Sequence, residues 1–177
     1  MINYLKKELN KLSSRNHVDK KTIEKFFKRL ELDLKIVKDE NPADHFCVFF
    51  LPINKKTNSV FLGHHIKADD WIPPGGHIEK GEFPLETVKR EFLEELSYKL
   101  NKERIELFDL SRITINKPNR LCKIHYDLWY LVYTEKINFI YDKKEFYQAG
   151  WFSLEKGLRL MKTVNYNTIV RKLGKIC

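Results

Sequence analysis

The order of apolar patterns along the chain predicts an α/β fold, a mixed β-sheet flanked by helices and preceded by an N-terminal helical extension. Three observations carry that expectation. Runs with strand-like alternation are interleaved with runs at helical spacing. At 177 residues the chain has the size of one compact domain with a substantial core. Asn41-Pro42 breaks the chain between a charged, helix-patterned stretch and a strand-rich remainder.

Residues 1–40 are expected to form the helical extension, as two helices. The second is amphipathic through Ile23, Phe26, Phe27, Leu30 and Leu34. This extension is a candidate cover for the core, a lid, or half of a homodimer contact. Residues 41–177 are expected to form the main domain. It begins with strands over His45 to Leu51 and Ser59 to Ile66, joined by the polar turn Asn54-Lys55-Lys56-Thr57-Asn58. A loop then runs from Lys67 to Gly81. A helix opens at Pro84, whose missing N–H would have been unpaired there, and Leu85, Val88, Phe92 and Leu96 give it a buried stripe. Strands follow around Ile105 to Ile115 and Lys123 to Thr134, with a turn at Lys117-Pro118-Asn119. A last strand near Ala149 to Phe152 leads into helices near Leu154 to Met161 and Tyr166 to Leu173.

The formal charge is +9, and the basic residues are scattered rather than gathered in one block. Such a surface attracts polyphosphates and nucleic acid by the same physics, so it favours an anionic ligand without choosing one. Three cysteines, Cys47, Cys122 and Cys177, are odd in number and lack metal-type spacing, as expected of a reduced, cytoplasmic protein. No stretch approaches membrane-spanning length, and MINYLKKELNKLSS is too charged for a secretory leader.

The stretch from Gly76 to Tyr98 carries the chemistry. Glu91, Glu94 and Glu95 fall at i, i+3 and i+4, which places them on one face of a helix. Three adjacent negative charges repel unless a cation sits among them. Hard carboxylate oxygens select Mg²⁺ or Mn²⁺ over Zn²⁺, which prefers His and Cys. Pro73-Pro74-Gly75-Gly76 suits a tight loop whose backbone approaches a ligand closely. Arg90 stands four residues after Glu86 and four before Glu94, at the spacing that lets it brace carboxylates.

In register, Gly76, Glu82, Arg90, Glu91, Phe92, Glu94, Glu95 and Tyr98 fill the pattern G-x5-E-x7-R-E-U-x-E-E-x-G-U, where U is bulky and apolar. On these residues the chain resembles the Nudix hydrolases, and Trp71 to His77 looks like the approach to this box in many members. The resemblance spans residue 44 to the end. It implies an α/β/α sandwich and metal-dependent hydrolysis of a phosphoanhydride bond in a nucleoside diphosphate linked to another group X. It further implies that Glu91 and Glu95 are the principal metal ligands and that Glu94 adds an oxygen. Gly75 would lend its carbonyl to a metal, and Glu91 is a candidate to take the proton from the attacking water. Glu82 and Arg90 would hold the catalytic helix and loop in place. Ser97 departs from the pattern, standing where the family has glycine. A different helix-ending turn is the expected consequence, set against an altered loop with reduced activity.

Other residues are candidates for substrate contact. His77 follows Gly76 directly and is well placed to donate a hydrogen bond to phosphate. Of His64 and His65, at most one faces a ligand, because neighbours on a strand point to opposite faces. A further carboxylate from a loop well after the box occurs in some members, and Glu145 is the candidate here. His125 and Asp127 share one strand face and read as a buried, hydrogen-bonded pair, with Asp127 alternatively a candidate extra cleft carboxylate. Trp129, Tyr130 and Trp151 read as core, with room for one exposed aromatic to stack on a base. Two other functional readings stay open. One is a non-catalytic nucleotide-binding or regulatory module. The other is processing of RNA caps or 5′ ends.

Overall fold

The computed structural model describes residues 1–32, 34–115 and 121–175, so the turn expected at Lys117-Pro118-Asn119 and the terminal Cys177 lie outside the described residues. Among the described residues, twelve elements precede a final 3₁₀ turn. Helices α1 (Ile2–Ser13) and α2 (Lys20–Glu31) come first, then strands β1 (Asp44–Asn54), β2 (Ser59–His65), β3 (Asp70–Ile72) and β4 (Gly75–His77). Helix α3 (Pro84–Leu96) follows, then β5 (Arg104–Thr114), β6 (Ile124–Tyr133), β7 (Phe146–Ser153), α4 (Leu154–Leu160) and α5 (Val164–Arg171).

The strands form one mixed sheet in the order β3-β2-β1-β6-β5, with β4 also paired to β1 and β7 to β2. β1 and β6 run parallel, His45 beside His125 and Cys47 beside Asp127; the other pairings are antiparallel. Alternation along β1 and β6 explains the layers. Phe46, Val48, Phe50, Leu128, Tyr130 and Val132 pack on one side with α1, α2 and α3. Leu51, Ile53, Trp129 and Leu131 pack on the other with residues of α5. Helices on both faces of a sheet buried on both faces make an α/β/α sandwich.

The N-terminal helices are part of this packing. Leu5, Leu9 and Leu12 of α1 and Ile23, Phe26 and Leu30 of α2 are buried in the same cluster as Phe46 and Phe50. Asp19 caps α2, its carboxylate accepting from the Thr22 N–H at 2.8 Å. Buried Arg29 pairs with Asp44 and donates to the Lys35 carbonyl at 2.7 Å, fastening α2 to the start of β1. Leu34, expected on the apolar face of α2, lies beyond the helix and is exposed, because α2 stops at Glu31.

The sequence reading of Lys67 to Gly81 as loop misses β3 and β4. Both are three residues long, too short for a periodic pattern, and they exist because β2 and β1 offer them edges. Helix α3 starts as expected with Pro84 in its first turn. Its stripe is buried through Val88, Phe92 and Leu96, and Phe92 stacks on Phe50 with centroids 5.0 Å apart.

Candidate active site

Two short backbone segments and one helix meet at a cleft of about 500 Å³. Its walls include Gly75, Gly76 and His77 of β4, and Glu91, Glu94 and Glu95 of α3. Lys67, Asp142 and Glu145 come from loops, and Phe49 and Tyr166 form an aromatic side. Pairing with β1 places β4 there, with Phe49 opposite Gly75 and Val48 opposite Gly76.

The two glycines are required for different reasons. A Cβ at Gly75 would stand 2.2 Å from the Val48 carbonyl oxygen, and that backbone cannot yield. At Gly76 it would stand 1.9 Å from Glu91 Oε1 instead. The backbone at Gly76 thus lies directly against the Glu91 carboxylate.

Arg90 organises the acidic face. Its Nε donates to Glu82 Oε1 at 2.7 Å and its Nη2 to Glu82 Oε2 at 3.1 Å, a two-point ion pair. Nη1 reaches Glu91 Oε1 at 2.9 Å and Glu94 Oε2 at 3.0 Å, and Nη2 also donates to the His77 carbonyl at 3.1 Å. Glu86, at helical spacing from Arg90, is engaged elsewhere, accepting the Phe83 N–H at 2.7 Å as half of a capping box. Glu82 is the better partner because it precedes the helix and folds back over its first turn, where Thr87 also donates to it at 2.8 Å.

Glu95 is turned the other way. It is buried, and its Oε2 accepts the Gly75 N–H at 2.9 Å. Burial, reinforced by the charge of Glu91, pushes the Glu95 carboxyl well above the usual range. Burial also raises Glu91, against the pull of Arg90. Burial works the same way on Glu82, but hydrogen bonds from Arg90 and Thr87 outweigh it and hold that carboxyl below its usual value. Two carboxylates are therefore kept costly to ionise beside a glycine backbone. A hard divalent cation would relieve that cost, so the donor set fits Mg²⁺ or Mn²⁺.

Of the remaining candidates, His65 lines the cleft, its Nε2 lying 3.5 Å from Glu145. His64 stacks on Trp71 instead, with centroids 5.5 Å apart, as strand alternation demands. Glu145 also lines the cleft and pairs with Lys67 at 2.8 Å. Asp127 is fully buried and accepts from the Ser111 hydroxyl at 2.8 Å, and burial pushes its carboxyl up to about 7. His125 reaches the cleft wall, beside Cys47. His77 lines the cleft as well, but its Nε2 is sealed from solvent with no partner among the described residues. Burial, then Lys38 and the neighbouring imidazoles His125 and His45, lower His77 to about 3. Trp129 and Tyr130 are core, and Trp151 packs edge-on against Phe61.

Ser97 corrects an expectation. It takes the left-handed conformation, φ 50° and ψ 37°, that glycine adopts after a helix. The turn is kept and the serine absorbs the strain.

Several cleft residues carry no sequence signal. Asp142 lies in the polar stretch that supplied Glu145, three positions before it, and its N–H donates to the Glu95 carbonyl at 2.8 Å. Phe49 and Tyr166, 4.8 Å apart by ring centroid, arrive from opposite ends of the domain.

Comparison with known proteins gives a family match and a shared fold. A family model described as the NUDIX domain matches residues 43–173. Among solved structures, the dihydroneopterin triphosphate pyrophosphohydrolase of E. coli is similar at 13% identity and TM-score 0.65, over 75% of this chain and 96% of that one. The MutT protein of Methanosarcina mazei Go1 is similar at 18% identity and TM-score 0.61, over 82% and 97%. The C. elegans Ap4A hydrolase is similar at 16% identity and TM-score 0.58, over 73% and 96%. No curated protein matches the sequence.

Proposed function

This chain belongs to the Nudix family of hydrolases, and from that premise we propose that it hydrolyses a phosphoanhydride bond in a nucleoside diphosphate linked to another group, using Mg²⁺ or Mn²⁺. The observation that carries this reading is the pair of carboxylates, half-buried Glu91 and buried Glu95, held against the Gly75-Gly76 backbone in an open cleft. A divalent cation held by Glu91, Glu95, Glu94 and the Gly75 carbonyl would neutralise phosphate oxygens and make a bound water acidic.

The chain's own groups do the rest by position and charge. Glu91, whose proton affinity burial raises, is the group assigned to take the proton from the attacking water. Arg90 fixes the direction of Glu91 and Glu94, and Glu82 anchors Arg90. Gly76, with no side chain, lets the Glu91 carboxylate close against its backbone at the cleft. His65, Lys67 and Glu145 border the same cleft and are assigned to the distal part of the substrate. Phe49 and Tyr166 offer flat surfaces for a base or for X.

The test is release of phosphate or nucleotide with Mg²⁺ or Mn²⁺ across a panel of diphosphates. Nucleotide sugars, dinucleoside polyphosphates, ADP-ribose and oxidised nucleotides belong in it. Dihydroneopterin triphosphate and Ap4A, named for two of the similar structures, belong there too. Turnover of at least one compound is expected. Silence across the panel with nucleotide binding intact would leave a binding module. Tighter binding to RNA than to free nucleotide, with steep salt dependence, would point to RNA ends as substrate.

A further inference from the structure

Beside the Gly75-Gly76 strand, where His77 and His125 reach the cleft wall, three imidazoles crowd together on one face of the sheet. His45 of β1, His77 of β4 and His125 of β6 have ring centroids 5.0, 4.8 and 5.4 Å apart pairwise. Cys122, just before β6, completes the group, its Sγ 3.8 Å from His45 Nε2. One donor atom from each of the four lies within 4.8 Å of every other.

The geometry points to a second metal site, a closed His₃Cys centre for Zn²⁺ or a similar borderline-soft cation, made by His45, His77, His125 and Cys122. Zinc bonds at about 2.0–2.1 Å to nitrogen and about 2.3 Å to sulfur place tetrahedral donors roughly 3.3–3.6 Å apart, so a modest contraction assembles it. His45 is already set for the task. Its Nδ1 lies 3.0 Å from the Asn41 carbonyl, which can only accept, so Nδ1 carries the proton and Nε2 turns its lone pair toward Cys122. A ligating histidine ordinarily has this outer hydrogen bond. His77 Nε2 is buried without a partner among the described residues, an arrangement that costs free energy until something binds it. Cys122 is held in place because Lys123 N–H and Ile124 N–H both donate to the Ala43 carbonyl, at 2.8 and 2.9 Å.

These nitrogen and sulfur donors are chemically distinct from the oxygens of Glu91 and Glu95, so the two sites sort cations by hardness. Four protein ligands leave no open position, which marks a structural centre. It would staple β1, β4 and β6 together at the wall of the cleft. The charge of Lys38, which reaches His45 and His77, opposes a dication there, and the Cys122 thiolate offsets it.

Co²⁺, a spectroscopic stand-in for zinc, is titrated into the full chain under a phosphine reductant with excess Mg²⁺. One equivalent is expected, with tetrahedral d–d bands and a thiolate-to-cobalt charge-transfer band. Cys122→Ser, at a half-buried position just before β6, should fold normally, lose the charge-transfer band and bind at least tenfold more weakly. His45→Gln should weaken binding similarly. Cys47→Ala should keep the band, since Cys47 belongs to a neighbouring group with His125 and Asp127. A Glu91→Gln/Glu95→Gln double variant should also keep it, so this result does not depend on the hydrolase reading. Absence of the band in the wild type, unchanged affinity in Cys122→Ser, or its loss in the Cys47 or the double variant overturns the site.

Discussion

Glu95 Oε2 accepts the Gly75 N–H at 2.9 Å, so the last turn of α3 and the start of β4 are one unit. Glu95→Gln separates the charge from that bond, because glutamine retains an oxygen to accept it. Turnover should fall by roughly 100-fold or more, with the melting temperature unchanged or raised, since a buried charge is gone. Steady-state kinetics with a thermal melt decide this. Full activity in the variant removes Glu95 from the proposed metal site.

The paired glycines should fail in different ways. Gly75→Ala drives a Cβ into the Val48 backbone and should destabilise the fold by about 1–3 kcal/mol. Gly76→Ala meets only the tip of the Glu91 side chain, which can swing aside. That variant should fold with near-normal stability and lose most of its activity. Denaturant midpoints compared with kcat separate the two. Equal stability losses would contradict the assignment.

Ser97→Gly should stabilise the protein, by up to about 1 kcal/mol. Glycine removes the left-handed strain at φ 50°, and its greater freedom in the unfolded chain takes back part of the gain. A rise in urea midpoint is the expected reading. A fall would mean that the serine makes a compensating interaction.

Asp127 gives the protein a pH dependence of known sign. Its carboxyl stands at about 7 in the fold against an ordinary 3.8, so between those values the native state holds a proton that the unfolded chain releases. The stabilising contribution is complete below about pH 3.8 and is lost as pH rises to about 7, an effect on the order of 4 kcal/mol at most. Asp127→Asn should therefore stabilise the protein relative to wild type at pH 8, and the difference should shrink toward pH 4. Chemical denaturation at both pH values measures it; a difference independent of pH sinks the assignment.

The part of the site legible in the sequence is the part built from local spacing. Glu91, Glu94 and Glu95 share a face because helical geometry fixes residues three and four apart, and Phe92 and Leu96 are buried for the same reason. The long strands and the helix starting at Pro84 also follow from short-range pattern. The same logic misassigns Arg90 to Glu86. Glu82 lies before the helix, where i,i+4 geometry no longer applies, and only the folded-back loop brings it to the guanidinium.

Tertiary structure alone decided what depends on strand pairing across distant sequence. β4 becomes a strand because β1 presents unpaired backbone to it, which three residues cannot announce. Phe49 meets Tyr166, and His45, His77, Cys122 and His125 converge, although each looks isolated in the chain. Local sequence sets the torsion angles of each segment and the face each side chain takes. Which faces then meet is set by burying the shared core, a property of the whole chain.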